Sequence, residues 1–372
     1  MWDVLARGRY DFVYDRMPMG ATGMSAAKRL NLLLAGTHLL RRQLQPLNMP
    51  LHLEVEFTNY CNLKCPVCPT GTKQLEREGK FMPVELFEQV WEETAPYLLT
   101  ASLFGWGEPL LHPQLDRMLE IASRHDVVTI LSTNGMPLRS ETVREALVAH
   151  PLKTLIVAID GITEETNSRY RVGAELGIIL DGVRKLVELK RKRNRSYPVL
   201  QMRYIVMNHN EHEVDRLEEF ARELGFELLT LRSLSIFDTP EADSVQSGFV
   251  PESELLRAYK YEEGRRVKRG DFICTMPFWF PGVFASGEVV SCDQDHGAKH
   301  IFGRLDGTNR FRDIWFSKQA AEVRKVVRDQ HGKLSFCNNC PYADRPTTDC
   351  SLESRQLVPD SVYPGLVAGR TR

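Results

Sequence analysis

Thr58-Asn59-Tyr60-Cys61-Asn62-Leu63-Lys64-Cys65-Pro66-Val67-Cys68-Pro69 is the stretch that decides how this chain is read. A CxxxCxxC spacing lets one short loop wrap three thiolates around three irons of a cubane cluster, and it leaves the fourth iron without a protein ligand and open to chemistry. A structural zinc site wants four closed ligands and normally arrives as paired CxxC knuckles, so three cysteines with no nearby fourth fit zinc poorly. An odd set of cysteines cannot pair internally as disulfides, and nothing else in the sequence looks secreted.

The loop follows an apolar run at 51–57. From there strand-like runs alternate with helix-period segments. The runs lie at 51–57, 101–104, 127–132, 154–159, 199–206 and 227–231, and the helical segments at 84–98, 114–124, 140–149, 176–192 and 211–224. That alternation predicts repeated βα units around a parallel sheet. Pro83, Pro113 and Ser140 supply helix starts, and Gly225 follows a helix end as a C-terminal cap would. In such architectures ligands gather at the C-terminal ends of the strands. The cysteine loop follows the first run, Gly105-Trp106-Gly107-Glu108-Pro109 the second, Thr133-Asn134-Gly135 the third and Asp160-Gly161 the fourth. The expected fold is α/β: a partial (β/α)6 TIM-like barrel with a small C-terminal cysteine-rich domain. The divisions read as an N-terminal helical extension at 1–50, the barrel at 51–232, a polar connector or lid at 233–270, the cysteine-rich domain at 271–350 and a tail at 351–372.

The cysteine loop resembles the signature of the radical S-adenosylmethionine (SAM) enzymes, although Val67 stands where that family usually has an aromatic residue. The resemblance implies a [4Fe–4S] cluster held by Cys61, Cys65 and Cys68, whose open iron chelates the amino and carboxylate groups of SAM. It also implies reductive cleavage of SAM to a 5′-deoxyadenosyl radical that takes a substrate hydrogen. Gly105, Gly107, Glu108 and Pro109 resemble the family's GGEP motif, which holds the SAM amino group, with Trp106 where its first glycine is usual. Close backbone approach asks for the glycines, and an ammonium asks for the acid. Thr133 and Asn134 look like the motif that approaches the ribose. Asp160 followed by Arg171 resembles the family's DG…R segment, whose guanidinium reaches the SAM carboxylate. The segment 203–210 is expected to line the substrate or adenine side.

Five further cysteines lie after residue 270. Gly287-Glu288-Val289-Val290-Ser291-Cys292 reads as a hairpin strand after a Ser286-Gly287 turn, and Cys337-Asn338-Asn339-Cys340 closes the set. Four thiolates suit zinc or a complete cubane equally well. The segment 271–342, with Phe311-Arg312-Asp313-Ile314-Trp315 inside it, resembles the SPASM/twitch extension of radical SAM enzymes. That resemblance implies one auxiliary [4Fe–4S] cluster on Cys274, Cys292, Cys337 and Cys340, in the shortened twitch form. Cys350 is then surplus: a free thiol, a substitute ligand or the remnant of a second site.

With 372 residues, 42% of them hydrophobic, the chain can bury a large core, and a formal net charge of −1 offers no global field for nucleic acid. The basic run Lys190-Arg191-Lys192-Arg193-Asn194-Arg195 reads as the solvated end of a helix. The N-terminus lacks an apolar signal-peptide core, and no apolar run approaches a bilayer span. A cytoplasmic, reducing location is therefore expected, which keeps the thiols available for metal. Ala27, Leu30, Leu34 and Leu40 form an apolar stripe among Lys28, Arg29, Arg41 and Arg42. Packing on the chain's own barrel is favoured for it over an anionic membrane surface or a partner.

The expected activity is two-electron oxidation of a small molecule in a biosynthetic pathway. The auxiliary cluster would accept the remaining electron, and an external reductant such as flavodoxin or ferredoxin would supply the first. Asp293, Asp295, His296 and Tyr204 are the candidate proton acceptors. The alternatives are redox-neutral decarboxylation or epimerisation, modification of a peptide, and, in another class, an iron–sulfur or zinc protein without turnover. Fifty residues before the first strand are too few and too helical for a winged-helix peptide-recognition domain, which lowers the peptide alternative.

Overall fold

The computed structural model of the chain describes residues 3–21, 23–41, 43–78, 81–150, 152–234, 248–262, 265–267, 273–338, 340, 342–343 and 350–359. It begins with a hairpin, β1 (Tyr10–Tyr14) and β2 (Met17–Ala21), and a helix, α1 (Ala26–Arg41). The βα units follow. Their elements are β3 (His52–Val55), α2 (Val84–Thr94), β4 (Thr100–Ser102), α3 (Leu115–Ala122), β5 (Val128–Thr133) and α4 (Glu141–Ala149). Then come β6 (Thr154–Ala158), α5 (Glu164–Tyr170), α6 (Leu176–Lys192), β7 (Val199–Val206), α7 (Leu217–Glu223) and β8 (Leu228–Ser233). Strands β3 to β8 pair in parallel and in chain order, which makes the (β/α)6 partial barrel.

The strands are short continuous apolar runs because both of their faces are buried. Leu53, Val55, Leu155, Val157, Leu200 and Met202 face outward and share one core with helix residues such as Phe87, Trp91, Ile179 and Leu186. Burying each of these side chains contributes about 1.5–3 kcal/mol. The alternate residues face the barrel interior, where Val128, Ile130 and Ile156 pack against Met19 of β2, with Phe12 and Tyr14 of β1 beside them. Gly225 has φ +83° after α7, as a C-terminal cap requires.

The cysteine-rich segment is no separate appendage. After a small hairpin of β9 (Tyr261–Glu262) and β10 (Arg265–Arg266) come β11 (Gly282–Val283), β12 (Glu288–Val290) and β13 (Ile301–Arg304). Then α8 (Phe311–Trp315), α9 (Lys318–Gln330), α10 (Ser335–Asn338) and β14 (Ser351–Gln356) complete the described elements. β11 pairs in parallel with β3, β12 pairs antiparallel with β11 and β13 with β12, and β14 adds antiparallel to β8, giving one sheet of ten strands. Both edges of the barrel sheet are thus covered, which removes the open ladder an edge strand would present. The segment expected as a tail therefore opens with a strand, while 360–372 lie outside the described residues, as do 235–247, 263–264 and 268–270 of the expected connector or lid.

The expected helical N-terminal extension is corrected by the β1–β2 hairpin. Its turn places Asp15 and Arg16 at φ +49° and +57°, as a two-residue turn does, without the Asn-Gly pair that would advertise it. α1 packs on the barrel: Asn31 donates to Met49 O (3.1 Å) and Tyr97 O (3.3 Å), and Lys28 donates to Asp126 O. The basic run at the end of α6 is not wholly solvated either, because Lys190 is buried and pairs with Glu227 at 2.8 Å. Among the described residues no helix is long and apolar enough to cross a membrane.

Candidate cluster and cofactor site

The cysteine loop leaves the C-terminal end of β3 and is held from three sides. Gly107 lies under it so closely that a Cβ there would stand 2.0 Å from Thr58 O, and the Glu108 amide donates to Tyr60 O at 2.8 Å. Gly71 lies against Cys65, with a Cβ position 2.4 Å from Cys65 O, and Lys64 N donates to Val172 O at 2.9 Å. Gly105 would likewise press a Cβ on the Glu56 side chain at 2.9 Å. Gly105 is thus required by the Glu56 side chain, and Gly107 by the approach of one protein backbone to another. Gly71 carries the same duty outside any motif singled out from the sequence.

Glu108 is buried and accepts hydrogen bonds from Leu110 N (3.1 Å), Thr133 Oγ1 (2.8 Å) and Asn134 N (2.7 Å). It ties the ends of β4 and β5 together and keeps one acceptor position for a ligand. Burial outweighs these bonds and raises its pKa to about 7. Pro109 opens the short turn after it. Asn134 reaches on to the cysteine loop, with Nδ2 at 2.9 Å from Asn62 Oδ1 and 3.7 Å from Cys61 Sγ.

Asp160 is fully buried and accepts from Ile205 N (2.7 Å) and from Arg171 Nε (2.6 Å). It positions Arg171, each of its two oxygens taking one of these bonds. Arg171 Nη1 lies 4.0 Å from Cys65 Sγ, so the guanidinium sits over the cysteine loop. Burial opposes its charge, but Asp160 and Cys65 outweigh burial and keep it firmly protonated. Its remaining N–H groups suit a carboxylate.

Cys61, Cys65 and Cys68 lie close enough for their charges to act on one another. Burial pushes the Cys61 thiol up to about 12 and raises Cys65 as well. Buried thiols of this kind become thiolates only when a cationic group takes their charge. The donor set fits a cluster, and Arg171 fits an anionic ligand group beside it.

The second thiol set forms at the β12 side of the sheet. Cys274, Cys292, Cys337 and Cys340 act on one another electrostatically, and burial pushes Cys274 up to about 12. Gly287, φ +91°, makes the turn before Cys292, close against Leu305 O. Four thiols suit a complete cubane or a tetrahedral zinc, and Cys292 Sγ also contacts Asp293 Oδ1 at 3.1 Å. Among the described residues no three His, Cys, Asp or Glu side chains gather around one ion position. Cys350 stands apart from this set, on the opposite sheet edge beside β8, where Arg232 Nε and Nη2 donate to its Sγ at 3.1 and 2.6 Å.

The two thiol sets are joined through Trp106 and through Glu56 and Arg77, which motif reading overlooked. Arg77 and Glu56 form a bidentate pair at 2.7 and 2.8 Å, and Glu56 also accepts from Trp106 N (3.1 Å) and Ala285 N (3.2 Å). Arg77 Nε donates to His296 O at 2.6 Å, and Trp106 Nε1 donates to Asp293 O at 3.1 Å, next to Cys292.

Of the four candidate proton acceptors, Asp295, Tyr204 and Asp293 are already engaged in hydrogen bonds. Asp295 takes the amides of Lys299 and His300, at 2.9 and 2.7 Å. The Tyr204 hydroxyl, with one proton to give, donates to Glu213 Oε2 (2.7 Å) and lies 3.0 Å from Asn210 O, and burial together with Glu213 keeps it protonated. Asp293 accepts from Tyr342, Gln294 and Cys292, and His296 packs edge-on against Trp106. Of the segment 203–210, Tyr204 and Asn210 belong to the packing behind β7, and Arg203 turns inward to Asp15.

Two protein families match this chain. The radical SAM superfamily matches residues 55–221, and an iron–sulfur cluster-binding domain, SPASM, matches residues 274–341. The chain is 25% identical to the mycofactocin maturase MftC of Mycolicibacterium smegmatis over 328 residues, 82% of this chain and 79% of the relative. It is 27% identical to the PqqA peptide cyclase of Gluconobacter oxydans over 330 residues, 83% of this chain and 87% of that one. Among solved structures it is similar to Streptococcus suis SuiB bound to S-adenosylmethionine, with TM-score 0.59 and 13% identity, covering 86% of this chain and 80% of that chain. At that identity the likeness is one of fold.

Proposed function

Because the chain carries a radical SAM domain followed by an iron–sulfur cluster-binding SPASM domain, we propose that it is a radical SAM enzyme that oxidises a substrate by two electrons. When bound, an open-iron [4Fe–4S] cluster with SAM supplies a 5′-deoxyadenosyl radical that takes a substrate hydrogen, and an auxiliary cluster supplies an electron acceptor. Cys61, Cys65 and Cys68 hold the first cluster, and Cys274, Cys292, Cys337 and Cys340 the second, which is the one-cluster form of the extension. Arg171 takes the SAM carboxylate and the last acceptor position of Glu108 its amino group. Thr133 and Asn134 brace the loops, with Gly105, Gly107 and Pro109 allowing the approach. Asp160 orients Arg171.

The observation that carries the oxidative reading is the bridge between the two thiol sets. Trp106, inside the loop that supports SAM, hydrogen-bonds the backbone of Asp293 beside Cys292, so substrate and electron acceptor share one wall. An external one-electron reductant such as flavodoxin or ferredoxin starts the cycle. Met19, Phe12 and Tyr14 fill the interior around β5 and β6, which favours a small substrate entering from the C-terminal mouth.

Deuterium at the reacting carbon tests the reading. Wild-type protein should move it into 5′-deoxyadenosine once per product, and the product should be oxidised by two electrons. Cys337→Ala should still move deuterium but form no oxidised product. Normal product at the wild-type rate in that variant would assign the reaction to redox-neutral chemistry. A peptide substrate is the second reading, favoured by the names of the maturase and peptide cyclase relatives. It predicts deuterium transfer from a labelled peptide and none from small molecules.

A further inference from the structure

Two arginines inside the barrel share one carboxylate. Arg203 of β7 and Arg232 of β8 lie on the interior face, because Met202, Tyr204, Leu229 and Leu231 beside them turn to the helices. Among the described residues Asp15 is the one acid that pairs with either, through Arg203 Nη2 and, at 3.6 Å, through Arg232 Nη1. The set therefore holds one positive charge that no carboxylate answers, and a charge buried without a partner is costly.

The hydrogen bonds are short of acceptors as well. Arg203, with a side chain 9% exposed, donates through Nη2 to Asp15 and, at 3.4 Å, to the Tyr14 hydroxyl oxygen. Its Nε is wholly buried and has no partner among the described residues. Arg232 spends Nε and Nη2 on the Cys350 sulfur, a weak acceptor, at 3.1 and 2.6 Å. Its Nη1 stays beyond hydrogen-bond distance of Asp15. Buried donors in native proteins are paired, so donors left over from two guanidiniums around one acid point to a bound anion.

Position says what the anion belongs to. Arg232 is in register with Ile205, whose amide donates to Asp160 Oδ1, and the other oxygen of Asp160 holds Arg171. Arg203 lies one interior step deeper, opposite Ala158 and Thr230. Met19, Phe12 and Tyr14 fill the interior around β5 and β6, while the Arg232 side chain stays 22% exposed, so a ligand reaches the pair from the C-terminal mouth.

We propose that Arg203 and Arg232 form a subsite for a carboxylate of the substrate, whose two oxygens take the guanidinium N–H groups that Asp15 and Cys350 leave over. One negative charge balances the set, which favours a carboxylate over a phosphate group of roughly −1.5 to −2. The proposal rests on the reading that substrate enters at the mouth beside SAM, and it is independent of the redox outcome.

The test titrates isotope-labelled acetate, read by its NMR line width, into the full chain, anaerobically reconstituted, unreduced and loaded with SAM, so that Arg171 is occupied and nothing turns over. Wild type binds acetate and ignores acetamide. Arg232→Gln weakens acetate about tenfold or more, as loss of a charged hydrogen bond does. Asp15→Asn tightens it, because the competing carboxylate is gone, and a purely structural cluster would not respond in that direction. No acetate binding in wild type, equal affinity in Arg232→Gln, or tighter binding of inorganic phosphate than of acetate overturns the proposal. If Arg232→Gln does not fold, Asp15→Asn decides, and unchanged or weaker binding there overturns it. Competition then finds the source, and either answer upholds the subsite: displacement by N-acetyl-tetraglycine but not by its C-terminal amide assigns a peptide end, and displacement by benzoate but not by that peptide assigns a small acid. The oxidative reading fails separately, when Cys337→Ala still yields normal product, and acetate binding does not depend on that result.

Discussion

At the scale of single residues, the site is built by what is missing as much as by what is present. Gly107 has no Cβ because Thr58 O and Tyr60 O occupy the place, at 2.0 and 2.8 Å. Both obstacles are backbone, so neither can swing away. Gly107→Ala should therefore displace the cysteine loop, cost about 1–3 kcal/mol of stability as overpacking does, and abolish or sharply reduce cluster loading. Iron content and visible absorbance after anaerobic reconstitution check this. Full loading in the variant would show that the loop can yield. The motif glycine was visible in the sequence, but its reason was not. The sequence argument assigned it to ligand approach, and the structure gives it a backbone neighbour forty-nine residues earlier.

At the scale of elements, the β1–β2 hairpin is the part that patterning missed. Asp15, at its turn, is buried and accepts from Gln201 Nε2 (3.0 Å) and Ser351 Oγ (3.1 Å), and it pairs with Arg203, with Arg232 Nη1 at 3.6 Å. Burial alone would raise its pKa, but Arg203 and Arg232 outweigh burial and hold it at about 2. A carboxyl depressed in the folded state stabilises it above the ordinary pKa of 3.8, and that stability is lost as pH falls from there toward 2. At neutral pH it amounts to about 2 kcal/mol. Asp15→Asn should lower the denaturant midpoint at pH 7 and flatten the acid branch of the stability curve in that window. An unchanged midpoint would mean that the hairpin contributes nothing to holding β7, β8 and β14 together.

At the scale of the whole molecule, the barrel and the SPASM domain are one sheet, and a buried ion pair of the barrel hydrogen-bonds across their seam to His296 and Ala285. Arg77 and Glu56 have side chains 2% and 0% exposed. Breaking a buried pair from one side leaves an uncompensated charge and costs about 3–5 kcal/mol, whereas replacing both partners by apolar groups is often neutral. Arg77→Leu should thus be severely destabilised, and the double variant Arg77→Leu, Glu56→Leu should recover much of the loss, as read by chemical denaturation of the metal-free chain. Equal losses in the single and double variants would mean that the bonds of Glu56 to Trp106 and Ala285 matter more than the pair.

The sequence by itself determined the βα alternation, the cysteine sets and the loops that follow the strands. Each of those is a local property: apolar runs with helical or strand period, or ligands a few residues apart. It could not determine that Gly282 and Val283 join β3, that Ser351–Gln356 covers β8, or that Asp15 and Arg77 form buried ion pairs. A two-residue strand has no period to detect, and a buried carboxyl looks like a surface one until its neighbours are in place. Only tertiary structure brings together Glu56, Arg77, Trp106 and Ala285, because the pairing that aligns them spans more than two hundred residues of chain.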